Sequence, residues 1–164
     1  MAASNAPGGG SALSRLIAGD AIRIGAHAED WRSAVRVAGE ALVAGGATDP
    51  AYTDEMIASV EQLGPYIVIA PGIALAHARP SAAVHRPGIS IVTLDAPVAF
   101  GHRQNDPVHL VVGLASPDAE GHITALATLA EFLSVDDRRT ALMAAQGPEE
   151  VRRMIEEYEG GSAT

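Results

Sequence analysis

The sequence predicts an α/β fold, a three-layer sandwich in which a mixed central sheet of about five strands is flanked by helices. The order of the elements is the main reason, because predicted helices come both before and after a central block of short strands. The composition agrees, since 164 residues of which 48% are apolar can form one domain with a substantial core. We expect that single domain over residues 11–158, with flexible tails at 1–10 and 159–164.

The first part of the chain carries mainly helical signals. Asp30 can cap a helix, because an aspartate side chain accepts hydrogen bonds from the free N–H groups of a first turn. Pro50 is favoured at the first position of the next helix, and glycine is placed to end both helices. In chain order the predicted elements are a short helix over 11–18, a strand at Ala21–Ile24, a helix from Asp30 to Gly45, and a helix from Asp49 to Gly64.

Strand signals fill the centre of the chain, and helix signals return at its end. The segment PGIALAHARP is too broken by proline and glycine to be a helix. Ser134 and Asp137 match a capping box, which predicts a helix start. The predicted strands are Tyr66–Ala70, a fragment within Pro71–Pro80, Ile89–Leu94, Pro97–Phe100 and Val108–Leu114. The later predicted helices are Asp118–Leu133, one that begins at Ser134, and one from Gly147 to Tyr158.

Composition excludes several classes of chemistry. The chain has no cysteine, which excludes disulfides, thiolate metal sites and cysteine nucleophiles. It has no lysine, which excludes Schiff-base chemistry and a phosphate-binding loop of the Walker type. A net charge of −9 argues against nucleic acid or an anionic membrane as the main partner. No apolar run could span a bilayer and residues 1–10 lack a signal-peptide pattern, so we expect a cytoplasmic protein.

Histidines are the main candidates for chemistry, because imidazole is nucleophilic near neutral pH without special activation. His77 lies in the loop punctuated by glycine and proline, two residues before Arg79. A loop anchored by strands can expose a side chain while holding it fixed, and a guanidinium so close in sequence can contact a phosphate. The alternative is a surface histidine in a turn, and spacing alone favours that alternative.

A second candidate is His122, in the first turns of the helix that follows Asp118. Its functional interpretation is an imidazole that donates a hydrogen bond to a phosphate near the helix N-terminus. The alternative, which the sequence alone favours, is a half-buried histidine bonded to a backbone carbonyl. A zinc site is weakly supported, because no zinc motif is present. The histidines predicted to be structural, exposed or ordinary loop residues are His27, His85, His102 and His109.

Two histidine motifs carry a family resemblance. The segment Gly72–His77 and the segment Asp118–Ile123 resemble the mannitol/fructose-type enzyme IIA family of bacterial sugar phosphotransferase systems. The resemblance covers nearly all of the chain from Leu13 to the last helix. One departure is Ala76, because the family usually has proline just before its active histidine, and alanine allows the loop more conformations. The segments closest to the ascorbate-type branch are Gly64–Pro71, Ala78–Pro80 and Asn105–Val108.

The resemblance implies a phosphoryl carrier. The phosphocarrier HPr would phosphorylate His77, His122 would stabilise the phosphate, and Arg79 is a further candidate contact. The phosphoryl group would then pass to a separate enzyme IIB, on a cysteine in the ascorbate-type branch, while a membrane enzyme IIC binds the sugar. The scheme needs no cofactor and no metal, and a homodimer stays open. The alternatives are a regulatory nitrogen-type enzyme IIA, a non-catalytic interaction module, and a metal-dependent hydrolase that uses both histidines.

Overall fold

A mixed five-stranded sheet forms the centre of the protein in the computed structural model, which describes residues 13–163. The predicted tail at 1–10 lies outside the described residues. None of the helices in the described range is long and apolar enough to cross a membrane. In chain order the elements are α1 (Leu13–Leu16), a 3-10 turn (Gly19–Ala21), β1 (Ile22–Ala26), α2 (Trp31–Ala44), α3 (Pro50–Leu63), β2 (Val68–Ala70), β3 (Ile73–Ala76), β4 (Gly88–Val98), β5 (Val108–Ala115), α4 (Ala119–Phe132), α5 (Asp136–Ala144) and α6 (Pro148–Ala163).

The strand order is β1-β4-β5-β3-β2. β3 runs parallel to β5, and β1 runs parallel to β4, whereas β4 and β5 are antiparallel. The carboxyl ends of β3 and β5 therefore meet at the same end of the sheet, which we call the site end and which is marked by Ala76 and Ala115. The carboxyl end of β1 points the opposite way. The predicted mixed sheet of about five strands is confirmed.

Apolar side chains on the two faces of the sheet form two separate cores. Alternate residues of β3 point to opposite faces, as strand geometry requires, so that Ala74 joins one core and Ile73 the other. The first core is covered by α2 and α3, and the second by α1, α4, α5 and α6. The three-layer sandwich predicted from the order of the elements is therefore confirmed.

Local signals fixed several boundaries correctly. The Asp30 side chain accepts a hydrogen bond from the Ser33 N–H at 2.8 Å, as expected of the residue that caps α2. Pro50 occupies the first turn of α3, and the N–H of Gly64 closes that helix on the Val60 carbonyl. The predicted strand at Ala21–Ile24 begins one residue later and continues to Ala26.

Three predicted features near the later elements are wrong. Pro97–Phe100 is not a separate strand, because β4 continues through an irregular stretch and pairs again with β5 at Val98. Ser134 does not cap α5, since its hydroxyl donates backward to the Glu131 carbonyl at 2.7 Å and Val135 takes the cap position. The last helix does not end near Tyr158: residues 159–163, predicted as tail, continue α6.

Gly39 lets α2 and α3 approach closely. A β-carbon at position 39 would lie 2.1 Å from the Thr53 hydroxyl oxygen, which is too close for any real contact. We therefore expect Gly39→Ala to lower the free energy of unfolding by about 1–3 kcal/mol, although alanine is the better helix former by about 1 kcal/mol. Urea denaturation measures the difference. Gly160→Ala in α6, where a β-carbon meets no atom within 4 Å, is the matched control and should not destabilise. A stabilised Gly39→Ala variant would contradict this packing.

Candidate functional site

His77 follows the last residue of β3 at the site end of the sheet. Ala76 is fully buried and pairs with Gly113 of β5, so the backbone just before His77 is held in the sheet. The His77 side chain is half-buried. The strand-anchored loop predicted for this histidine is thus present. Pairing with β5 restrains the backbone at Ala76. A proline at this position would restrict the backbone through its ring instead.

One hydrogen bond orients the imidazole of His77. Its Nδ1 atom lies 2.8 Å from the carbonyl oxygen of Leu75. A carbonyl oxygen can only accept, so Nδ1 carries the proton of the neutral ring. Nε2 then keeps a free lone pair, which is the nucleophilic form of the ring. The local backbone therefore fixes both the orientation and the tautomer of this side chain.

His122 meets His77 because β5 ends at the same end of the sheet as β3. Three residues separate β5 from α4, and the last of them, Asp118, accepts the Gly121 N–H at 2.6 Å through its side chain and so fixes the first turn. The two imidazole ring centroids are 5.5 Å apart, with an angle of 50° between the ring planes. One group bonded to His77 could therefore contact His122 as well.

The environment of His122 disfavours its charged form. Burial lowers the pKa of His122 below its ordinary value of 6.5, and the positive charge that His77 can carry lowers it further. Its Nδ1 atom is buried and has no hydrogen-bond partner among residues 13–163. A buried nitrogen without a hydrogen-bond partner costs free energy of folding.

Lowering the pH should destabilise the protein through His122. Its pKa is lower in the folded than in the unfolded chain, so the unfolded chain binds the proton first as the pH falls through 6.5. This contribution to stability is full above 6.5 and is lost as the pH falls through the lower, folded pKa. Replacing His122 with glutamine should therefore flatten the loss of stability as the pH falls below 6.5, measured by urea denaturation. Equal slopes in both proteins would contradict the lowered pKa.

The two histidines line a cavity of about 310 Å³. Its rim is apolar: Leu63 and Ile123 are 70% and 67% exposed. The Tyr66 and His77 rings form a T-shaped pair, with 5.7 Å between the centroids. Arg79 also lines the cavity and is exposed. The remaining lining residues are Ser59, Ala78, Pro80 and Ala119.

The other histidines do not join this pair. His27 lies beyond the carboxyl end of β1, opposite the site end, and its Nδ1 is 3.3 Å from an Asp95 carboxylate oxygen. His85 contacts Asp49 at 2.8 Å. His102 accepts two backbone N–H groups of its own turn, and His109 is exposed on β5. Within the described range, no three histidine, aspartate or glutamate side chains lie together as a metal-binding group.

Sequence reasoning brought His77, His122 and Arg79 forward but missed the cavity rim. Leu63 is the last residue of α3, within the helix predicted from Asp49 to Gly64, whereas Tyr66 belongs to a predicted strand. An apolar side chain in the last turn of a helix, next to Gly-Pro, is the signal that could have pointed to an exposed rim.

Comparison with known proteins gives one consistent result. The family described as "Phosphoenolpyruvate-dependent sugar phosphotransferase system, EIIA 2" matches residues 15–158. The ascorbate-specific PTS system EIIA component of Salmonella typhimurium is 39% identical over 135 residues, which cover 80% of this chain and 88% of that protein.

Solved structures agree. The complex of enzyme IIA and phosphorylated enzyme IIB of the Escherichia coli mannitol system contains a chain with a TM-score of 0.73 and 28% identity, covering 83% of this chain and 94% of that one. Nitrogen regulatory protein IIA-Ntr of Neisseria meningitidis has a TM-score of 0.74 and 25% identity, covering 87% of this chain and 98% of that one.

Proposed function

This chain belongs to the EIIA 2 family of the phosphoenolpyruvate-dependent sugar phosphotransferase system, and from that premise we propose that its His77 accepts a phosphoryl group from HPr and passes it to an enzyme IIB. The observation that carries the proposal is the pairing of His77 with His122 at one cavity, with Nε2 of His77 left free by the Nδ1 hydrogen bond. This arrangement supports Nε2 of His77 as the nucleophilic atom of the proposed phosphoryl transfer.

The transfer needs no external acid or base. The Nε2 lone pair of His77 attacks phosphorus as the bond from phosphorus to the HPr imidazole breaks, and the departing nitrogen keeps that electron pair. Nδ1 of His77 retains its proton throughout, because the Leu75 carbonyl holds it. One nitrogen–phosphorus bond replaces another, so the phosphoryl group can leave His77 by the same route toward the next carrier.

His122 and Arg79 are the proposed partners of the phosphoryl oxygens. Charge spreads over three equatorial oxygens in the transition state, so hydrogen-bond donors in fixed positions supply much of the catalysis. The His122 ring lines the same cavity with its centroid 5.5 Å from that of His77, which supports a donor role for this ring. Arg79 offers a charged donor at the mouth of the same cavity.

The apolar rim is the proposed docking surface for both protein partners. Leu63, Tyr66 and Ile123 surround the entrance to His77, and exposed apolar patches of this kind are typical of protein contacts. The acceptor is a separate enzyme IIB, the form of partner named in the mannitol complex. A membrane enzyme IIC would bind the sugar without touching this chain, which would act in the cytoplasm.

Phosphorylation of the purified chain tests the proposal. The chain is incubated with enzyme I, HPr and radiolabelled phosphoenolpyruvate, and the label is tested for stability in acid and base. Label that is lost in acid and kept in base, with phosphorus bonded to Nε2 of His77 by nuclear magnetic resonance, is the expected result. Absence of label would refute the carrier function and favour the interaction module. Label bonded to Nδ1 would refute the proposed geometry.

A regulatory role is the second candidate, and the similarity to the nitrogen regulatory protein favours it. Both roles need phosphorylation of His77, so the acceptor decides between them. Rapid transfer of the label to a purified enzyme IIB of the ascorbate type supports sugar transport. Retention of the label in the presence of that enzyme IIB, together with transfer from HPr, supports regulation.

A further inference from the structure

Tyr52, in the first turn of α3, places a fully buried hydroxyl behind the His77 loop. The side chain has no exposed surface and does not line the cavity. Its oxygen accepts the N–H of Ala78 at 2.9 Å. The same hydroxyl donates to the Leu114 carbonyl at 2.8 Å, and the Ala78 carbonyl lies 3.1 Å away as a second acceptor. A hydroxyl has one proton and two lone pairs, so this one uses nearly all of its bonding capacity on the backbone.

These bonds fall on the residue directly after His77. On the other side of His77, Ala76 is paired with Gly113 of β5. Leu114, which accepts the hydroxyl proton, is the next residue of that same strand. The backbone is therefore hydrogen-bonded to β5 on both sides of His77. Ala76 pairs with β5 in the sheet, and Ala78 is linked to β5 through the Tyr52 hydroxyl.

We propose that Tyr52 is a positioning residue for His77, whose buried hydroxyl ties Ala78 to β5 and so holds the Nε2 atom toward the cavity. The inference rests on the proposed phosphoryl transfer only for its kinetic consequence. In-line attack on phosphorus tolerates little displacement, since a shift of about 1 Å can cost about a hundredfold in rate. The link through Tyr52 also matters because Ala76, which lacks the ring of proline, does not itself restrict the backbone next to His77.

The hydroxyl keeps its proton under ordinary conditions. Burial raises the pKa of Tyr52 to about 12, so the group donates and accepts at the same time across the neutral range. The contact with Ala78 thus persists at any pH at which the histidines work.

Removing the hydroxyl tests the role. Tyr52→Phe keeps the ring and its packing but leaves the Ala78 N–H without an acceptor. Thr93→Val is the matched control: Thr93 is also buried, and its hydroxyl accepts the N–H of Gly25 at 2.8 Å, in a part of the sheet away from the site end. We expect Tyr52→Phe to lower the maximal rate of transfer from HPr about 10- to 100-fold with an unchanged KM for HPr, because Tyr52 cannot touch the partner. Thr93→Val should keep the rate within about twofold even if its melting temperature falls similarly.

Two spectroscopic measurements separate this inference from the proposed function, since neither needs phosphorylation. In Tyr52→Phe the nitrogen resonances of His77 should report a mixture of tautomers, where the wild type has the proton on Nδ1. In the wild type, the Ala78 amide should exchange with solvent as slowly as amides of β5. A wild-type rate and a wild-type tautomer in folded Tyr52→Phe would overturn the inference. If that variant does not fold, rapid exchange of the wild-type Ala78 amide would overturn it, and slow exchange supports it.

Discussion

Replacing His77 with alanine is expected to reduce acid-labile phosphorylation to the background of a reaction without the protein. The reason is chemical: the transfer requires a nitrogen lone pair facing the cavity, and the Nδ1 hydrogen bond to Leu75 leaves Nε2 of His77 in that form. Labelled phosphoenolpyruvate with enzyme I and HPr measures the effect, and gel autoradiography quantifies it.

The control for this loss is His27→Ala. His27 is 71% exposed on its side chain and pairs with Asp95 beyond the carboxyl end of β1, opposite the site end. This variant should be labelled at the wild-type rate. Label retained by His77→Ala, or lost by His27→Ala, would contradict the assignment of the nucleophile.

Replacing His122 with alanine is expected to slow the transfer about 100- to 1,000-fold, the usual cost of losing one preorganised donor to a developing negative charge. The nucleophile is untouched, so the label should still appear, only later, and rapid-quench sampling measures the rate. Glutamine keeps an N–H donor at a similar reach, so His122→Gln should recover part of the rate. An alanine variant as fast as the wild type would exclude His122 from the transition state.

On the proposed function, phosphorylation of His77 would reverse the electrostatics described for its neighbour. Before transfer, burial lowers the pKa of His122, and a proton on His77 would lower it further. After transfer, a phosphoryl dianion would stand where that proton was, and an opposite charge nearby favours the protonated form of a histidine. His122 would thus be protonated less readily when phosphate is absent and more readily when it is present.

Local sequence signals predicted the start of a helix correctly where a single residue determines it. Asp30 and Pro50 are such residues, because a cap or a proline acts within a single turn. The predicted cap at Ser134 was wrong because its hydroxyl has another partner within reach: it donates to the carbonyl of Glu131 in the preceding helix. The predicted end of α6 near Tyr158 was wrong because a distant contact stabilises the helix beyond that residue. The Ser14 hydroxyl donates a hydrogen bond to the Glu159 carboxylate at 2.7 Å.

The candidate site could be predicted only in part. The two histidine motifs brought His77 and His122 forward, but their proximity depends on β3 and β5 being parallel neighbours, a pairing that no local pattern specifies. The Leu75 carbonyl that fixes the tautomer is a backbone atom, which every residue has. Tyr52 lies within the helix predicted from Asp49 to Gly64, but nothing near it in sequence indicates where its hydroxyl points.

The cavity at the site end has one further consequence for how a carrier of this form would operate. The imidazole of His77 is held through Nδ1, so Nε2 is the ring nitrogen left for chemistry, and the residue lines a cavity with an apolar rim. Donor and acceptor would have to approach phosphorus along that same line. They would therefore exclude each other, and the protein would alternate between them in a ping-pong cycle without ever forming a ternary complex. Each partner would therefore have to leave before the other could bind.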